Sequence, residues 1–136
     1  MGSEDTPEFI KLEIHNIPPV SWTLEFKRAS DGRYDVLAFH HGTGMTTSES
    51  RHGHARAEHV AALNEALNSI RANPQSGDRR VIQDGYQIEV ISPVDRFSFH
   101  SVEEGANGEA FQRCLRLACG DAFDDATYER WELDRV

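Results

Sequence analysis

Lysine is nearly missing from this chain. It has two, against twelve arginines, in 136 residues. The arginine excess hints at a GC-rich genome, since arginine codons are GC-heavy. Positive charge of either kind is scarce: 14 Lys+Arg face 23 Asp+Glu, a formal net charge of −9. A protein that binds nucleic acid gains affinity by neutralising phosphates and releasing counterions. This composition does not favour that mode, so no nucleic-acid partner is expected. An acidic surface instead favours solubility and rapid encounter with a basic protein.

Cysteine is equally scarce. Cys114 and Cys119 are the only two. They lie five apart in an expected helix and so project about 140° from one another. A disulfide would require breaking that helix. No CxxC motif is present, and both residues read as small core side chains in a reducing compartment. Long apolar runs are absent too, so no membrane-spanning helix is expected. The opening Met1-Gly2-Ser3-Glu4-Asp5 has neither a basic nor an apolar stretch, which makes a cytoplasmic location the expectation.

Catalytic signatures are also missing. His100-Ser101 and Ser98 lack the G-x-S-x-G elbow. His41-Gly42-Thr43-Gly44 has no lysine after it and no third glycine of a dinucleotide fingerprint. Asp121, Asp124 and Asp125 do not form the D-x-D-x-D-G calcium loop.

What is present suits a folded domain. At 38% hydrophobic and 27% charged residues, the composition is globular. Residues 1–8 read as a tail and 9–136 as one domain. Ile10, Leu12 and Ile14 alternate with polar residues, and Asn16-Ile17-Pro18-Pro19 stops that strand. Trp22, Leu24 and Phe26 alternate in a second strand. Ser30-Asp31-Gly32 is a turn signal. The third strand, Arg33 to His40, has Tyr34, Val36 and Ala38 on one face and Leu37 and Phe39 on the other. Being apolar on both faces, it is expected to be central or covered on both sides. His41 to His54, rich in Gly, Thr and Ser, reads as a long loop.

From Ala55 the period becomes helical, with Val60, Leu63, Leu67 and Ile70, ending at Asn73-Pro74. Gln75 to Asp78 reads as a linker. Tyr86, Ile88 and Val90 form a further strand, followed by a turn and the Phe97/Phe99 strand. A second helix is expected over Asn107–Cys119, with Gly120 as its C′ residue. Tyr128 and Trp131 are three apart, which suggests a short terminal helix. The fold class is therefore α+β. It has a mainly antiparallel sheet of about five strands in the order β-β-β-α-β-β-α, with helices on one face.

Two segments carry candidate chemistry. Five of the seven histidines, His40, His41, His52, His54 and His59, fall within twenty residues. Histidine is the commonest metal ligand and the side chain that titrates nearest neutral pH. His52-Gly53-His54 with Glu58 is a candidate zinc-like site, joined by His40 or His41 but not both, because these leave a strand on opposite sides. Asp35 or Glu49 is a candidate orienting partner for acid–base work by His40 or His41. His59 is expected at the margin of the helix's buried stripe. No H-E-x-x-H or paired-cysteine spacing supports metal, and no cofactor is the simpler expectation.

The second segment is acidic. From Glu103 to the end there are nine Asp+Glu and four Arg, a contribution of −5. Asp121, Asp124 and Asp125 interleave with Phe123, Tyr128 and Trp131. Aromatic anchors inside a charged rim are common protein-interface anatomy. The competing expectation is that these aromatics simply seal the core.

The layout resembles small bacterial immunity proteins and related inhibitor domains. The features that carry the resemblance are size, acidic charge, the Trp22-x-Leu24-x-Phe26 strand, the Asp31-Gly32-x-Tyr34 hairpin and the helix after the loop. It implies a compact, non-catalytic α+β protein that blocks a toxin. The sequence thus leads to a protein-binding domain with a basic partner, held through Asp121, Asp124, Asp125, Tyr128 and Trp131. The alternative is a metal protein or histidine enzyme centred on His40–His59.

Overall fold

The computed structural model describes residues 7–15, 21–41, 48–72, 87–100, 105–131 and 133. Several expected features lie outside them: most of the tail, the Asn16–Pro19 stop, the Asn73-Pro74 helix end, the Gln75–Asp78 linker and Tyr86. The elements are β1 (Phe9–His15), β2 (Ser21–Arg28), β3 (Tyr34–His41), β4 (Glu49–Ala55), α1 (Ala57–Ala72), β5 (Gln87–Ile91), β6 (Arg96–His100), α2 (Ala106–Ala122) and α3 (Asp125–Arg130). The six strands form one antiparallel sheet in the order β4-β3-β2-β1-β5-β6. The α+β class, the antiparallel sheet and the order of the expected elements are as the sequence implies.

Alternation sets the layers. Ile10, Leu12 and Ile14 of β1 point the same way as Trp22, Leu24 and Phe26 of β2 and Tyr34, Val36 and Ala38 of β3. All nine are buried, in one cluster with Val60, Leu63, Leu67 and Ile70 of α1 and Phe111, Leu115 and Cys119 of α2. The helices therefore cover the face that carries these apolar side chains, whose burial is favourable. The β2–β3 turn forms where Asp31-Gly32 predicts it. Gly32 takes φ +91°, and the Asp31 carboxylate accepts hydrogen bonds from Arg33 N and Nε, each at 3.0 Å. Arg71, in the last turn of α1, forks onto Asp95 at 3.0 and 3.1 Å and lies over the Phe97 ring. That clamp fixes α1 against the β5–β6 hairpin.

Three details differ from expectation. The end of the segment read as a loop, Glu49–Ala55, is an edge strand paired with β3. Its residues Glu-Ser-Arg-His-Gly-His-Ala offer almost no apolar alternation, so pairing with β3 and close approach of α2 replace hydrophobic patterning. A Cβ on Gly53 would sit 2.8 Å from Ala122 Cα and closer still to its carbonyl oxygen. Only glycine lets α2 come that near. Next, α2 runs through Gly120 and ends at Phe123, whose N–H donates to the Cys119 carbonyl at 2.9 Å. Last, β3 is one strand in from the edge, and its second apolar face carries no helix among the described residues.

Candidate functional site

The uncovered face of the sheet gathers side chains that the sequence scatters. Register places Asp35, Leu37, Phe39 and His41 of β3 on it, beside Thr23, Glu25 and Lys27 of β2. Lys11 and Glu13 of β1 join them, with Ser50, His52 and His54 of β4. Leu37 stands near the middle, 49% exposed. Two adjoining hollows flank it. One, of about 320 Å³, is lined by Glu25, Lys27, Asp35, Leu37 and His52. The other, of about 300 Å³, is lined by Lys11, Thr23, Glu25, Leu37, Phe39 and His41. The signal for this surface was the Leu37/Phe39 alternation. It was misleading because a second apolar face usually means a second covering layer.

The histidines divide by face. His41, His52 and His54 are on the open side, and register adds His15 and His100 there. His41 Nε2 lies 3.1 Å from Thr23 Oγ1. His54 Nε2 lies 3.0 Å from Asp35 Oδ1. His40 points to the core side, as the opposite-sides argument requires, stacked on Trp131 with centroids 5.5 Å apart. His59 sits at the margin of the α1 stripe, its Nδ1 2.7 Å from Asp121 Oδ2.

The four-ligand arrangement is therefore not assembled. His52 and His54 are neighbours on the open face, whereas Glu58 is in the first turn of α1, on the helix side. His40 is turned away, and His41 lies four residues along β3 from Leu37, the partner of His52. Among the described residues no group of three or more His, Cys, Asp or Glu is placed to hold a metal ion. The acid–base pairs also differ from expectation. Asp35 serves His54 rather than His40 or His41. Glu49 accepts hydrogen bonds from Trp131 Nε1 at 2.7 Å and Arg130 Nη2 at 2.8 Å. The Trp131 and Arg130 hydrogen bonds pull the Glu49 carboxyl down to about 2.

The acidic segment is not an aromatic-anchored patch. Tyr128 and Trp131 are 3% and 2% exposed, Tyr128 stacked on Phe123 and Trp131 tilted against it in the core. Amphipathic placement on α3 wins over display, because burying these rings is worth more than leaving them wet. Asp121 accepts from Arg56 N and pairs with His59, so it fastens the end of α2 to the start of α1. Asp124 caps α3 by accepting from Thr127 N at 3.1 Å. Hydrogen bonding from the Thr127 side chain, and then from its backbone N–H, holds the Asp124 carboxyl below the usual range. Asp124 and Asp125 are both exposed, and the Asp125 carboxylate lies 3.5 Å from Arg116.

Neither cysteine is poised to react. Burial pushes both thiols up, Cys119 far more than Cys114. No helix among the described residues is long and apolar enough to cross a membrane. Comparison with family models, with curated proteins and with solved structures returns no match.

Proposed function

We propose that this chain is a non-enzymatic protein-binding domain and that the open sheet face is the surface it offers. The observation that supports this reading is Leu37, half exposed between two hollows whose other walls are mostly charged or polar. An apolar centre inside a polar rim is the anatomy of a protein interface. The net charge of −9 adds long-range attraction for a basic partner. An immunity-type inhibitor that neutralises a basic toxin or enzyme is the form that size and charge favour. The histidine-enzyme alternative loses ground, because the sheet separates His40 from His41 and gives Asp35 and Glu49 other partners.

The test uses two exposed leucines as target and control. Leu117 on α2 is also 49% exposed, away from the open face. Immobilised chain is presented with extract of the source cells. The expected result is a basic protein retained by the parent chain and by Leu117→Asp, lost with Leu37→Asp, and bound more slowly as salt rises. Equal retention by both variants overturns the surface. Association that ignores salt overturns the electrostatic part.

A further inference from the structure

Strand β4 is one edge of the sheet, and no strand among the described residues pairs with its outer side. An edge strand presents backbone donors and acceptors that a second strand can extend, unless charged side chains, proline, a bulge or a covering element guards it. Strand β4 contains neither lysine nor proline, and its charged residues, Glu49 and Arg51, lie on the helix side, opposite to His52 and His54. His52 and His54 lie two apart on it, both exposed and both on the open face. Their ring centroids are 6.0 Å apart. Metal–nitrogen bonds of about 2 Å let two imidazoles so placed reach one ion after small torsional changes.

Asp35 supplies a second, independent observation. Its Oδ1 lies 3.0 Å from His54 Nε2. A carboxylate on one ring nitrogen is the usual support of a metal-binding histidine, since it fixes the ring and leaves the other nitrogen to bind. The pair nevertheless supplies only half of a tetrahedral set, and the described residues provide no third ligand beside it.

We propose that His52 and His54 bind a zinc-like divalent ion shared between two copies of this chain, joined antiparallel along β4. With Gly53 of one copy opposite Gly53 of the other, His52 of each faces His54 of its neighbour. Four imidazoles then meet on one side of the joined sheet. Zinc accepts four such nitrogen ligands in tetrahedral geometry. Asp35 is a positioning residue that acts through His54. The proposal does not rest on the binding reading: His52 and Asp35 also line the hollow beside Leu37, but the ion needs no partner protein and no Leu37.

Zinc is titrated into tag-free protein, with mass followed by sedimentation and metal measured by elemental analysis. The expected result is a monomer in EDTA and a dimer holding one zinc per pair of chains on zinc addition, reversed by EDTA. His52→Ala and His54→Ala each remain monomeric with zinc. Both sites are exposed, and an unchanged thermal melt verifies the fold. Asp35→Asn weakens zinc affinity about tenfold at unchanged stoichiometry. Cobalt(II) gives a fold-independent readout in the parent chain, the intense visible absorption of a tetrahedral site. The proposal is overturned by zinc bound one per chain without a change in mass, by no binding, by a dimer that persists in EDTA, or by zinc-driven dimerisation that survives both alanine substitutions.

Discussion

The two faces of this sheet are made by the same strands, residue by alternate residue, yet they obey different rules. On the helix side, Phe26, Leu24 and Trp22 are buried among α1, α2 and neighbouring strands. One position along on β2, Lys27, Glu25 and Thr23 face the open side. The core side is fixed by volume and shape. The open side is fixed by neither, so its residues are free to be selected for contact with something else. Stability should therefore depend on one face, and association on the other.

Phe26→Ala should have the largest effect. It deletes a fully buried ring and leaves a cavity, costing about 3–5 kcal/mol. Chemical denaturation measures it. Its neighbour Lys27→Ala, exposed on the open face, should change stability by less than about 0.5 kcal/mol. Comparable losses at the two positions would break the comparison.

Gly53→Ala comes next. The new methyl would collide with the backbone of Ala122, and backbone cannot swing aside as a side chain can. The expected loss is about 2–3 kcal/mol, with β4 or the end of α2 displaced. Hydrogen exchange would place the disturbance. A neutral outcome would mean that α2 rides more loosely on the edge strand than the close approach indicates.

How far the sequence revealed this molecule follows from the same division. Strands β1 and β2 were legible because alternation reports a half-buried sheet. So was α1, through Val60, Leu63, Leu67 and Ile70. Strand β4 was not, since its pairing with β3 is a long-range event that leaves no apolar mark on His52, Gly53 or His54. The opposite directions of His40 and His41 followed from strand geometry alone. Their partners did not, because Trp131 and Thr23 come from elsewhere in the chain. Tyr128 and Trp131 failed as surface anchors for a related reason: spacing shows that two rings share a helix face but not which way that face points.

Glu49 sharpens the core side through pH. Its carboxyl titrates at about 2 in the folded chain, against 4.5 for an ordinary glutamate, because Trp131 and Arg130 hydrogen-bond to the ionised form. Between those values the unfolded chain binds more protons than the folded one, so stability falls as pH falls. The contribution is complete above about pH 4.5 and is lost as pH drops through 2. Thermal melts of the parent chain and Glu49→Gln should therefore differ most near neutral pH and converge as pH approaches 2. A gap that stays constant across that window would mean that the ionised carboxylate does not hold Trp131.

The effect of Leu37 on stability is as small as that of Lys27, and it is the most informative about function. A core leucine in β3 would cost several kcal/mol on truncation. Leu37 is half in water already, so Leu37→Ser forfeits little burial and should lie within about 0.5 kcal/mol of the parent. Serine also fits a solvated strand position opposite Glu25 and His52. If the open face is where a partner docks, the same substitution removes the apolar centre of the contact. Its cost then appears in dissociation rate rather than in melting temperature. A Leu37→Ser chain that melts like the parent but releases its partner faster is the expected result. A chain that loses stability and keeps its partner would reverse the roles of the two faces.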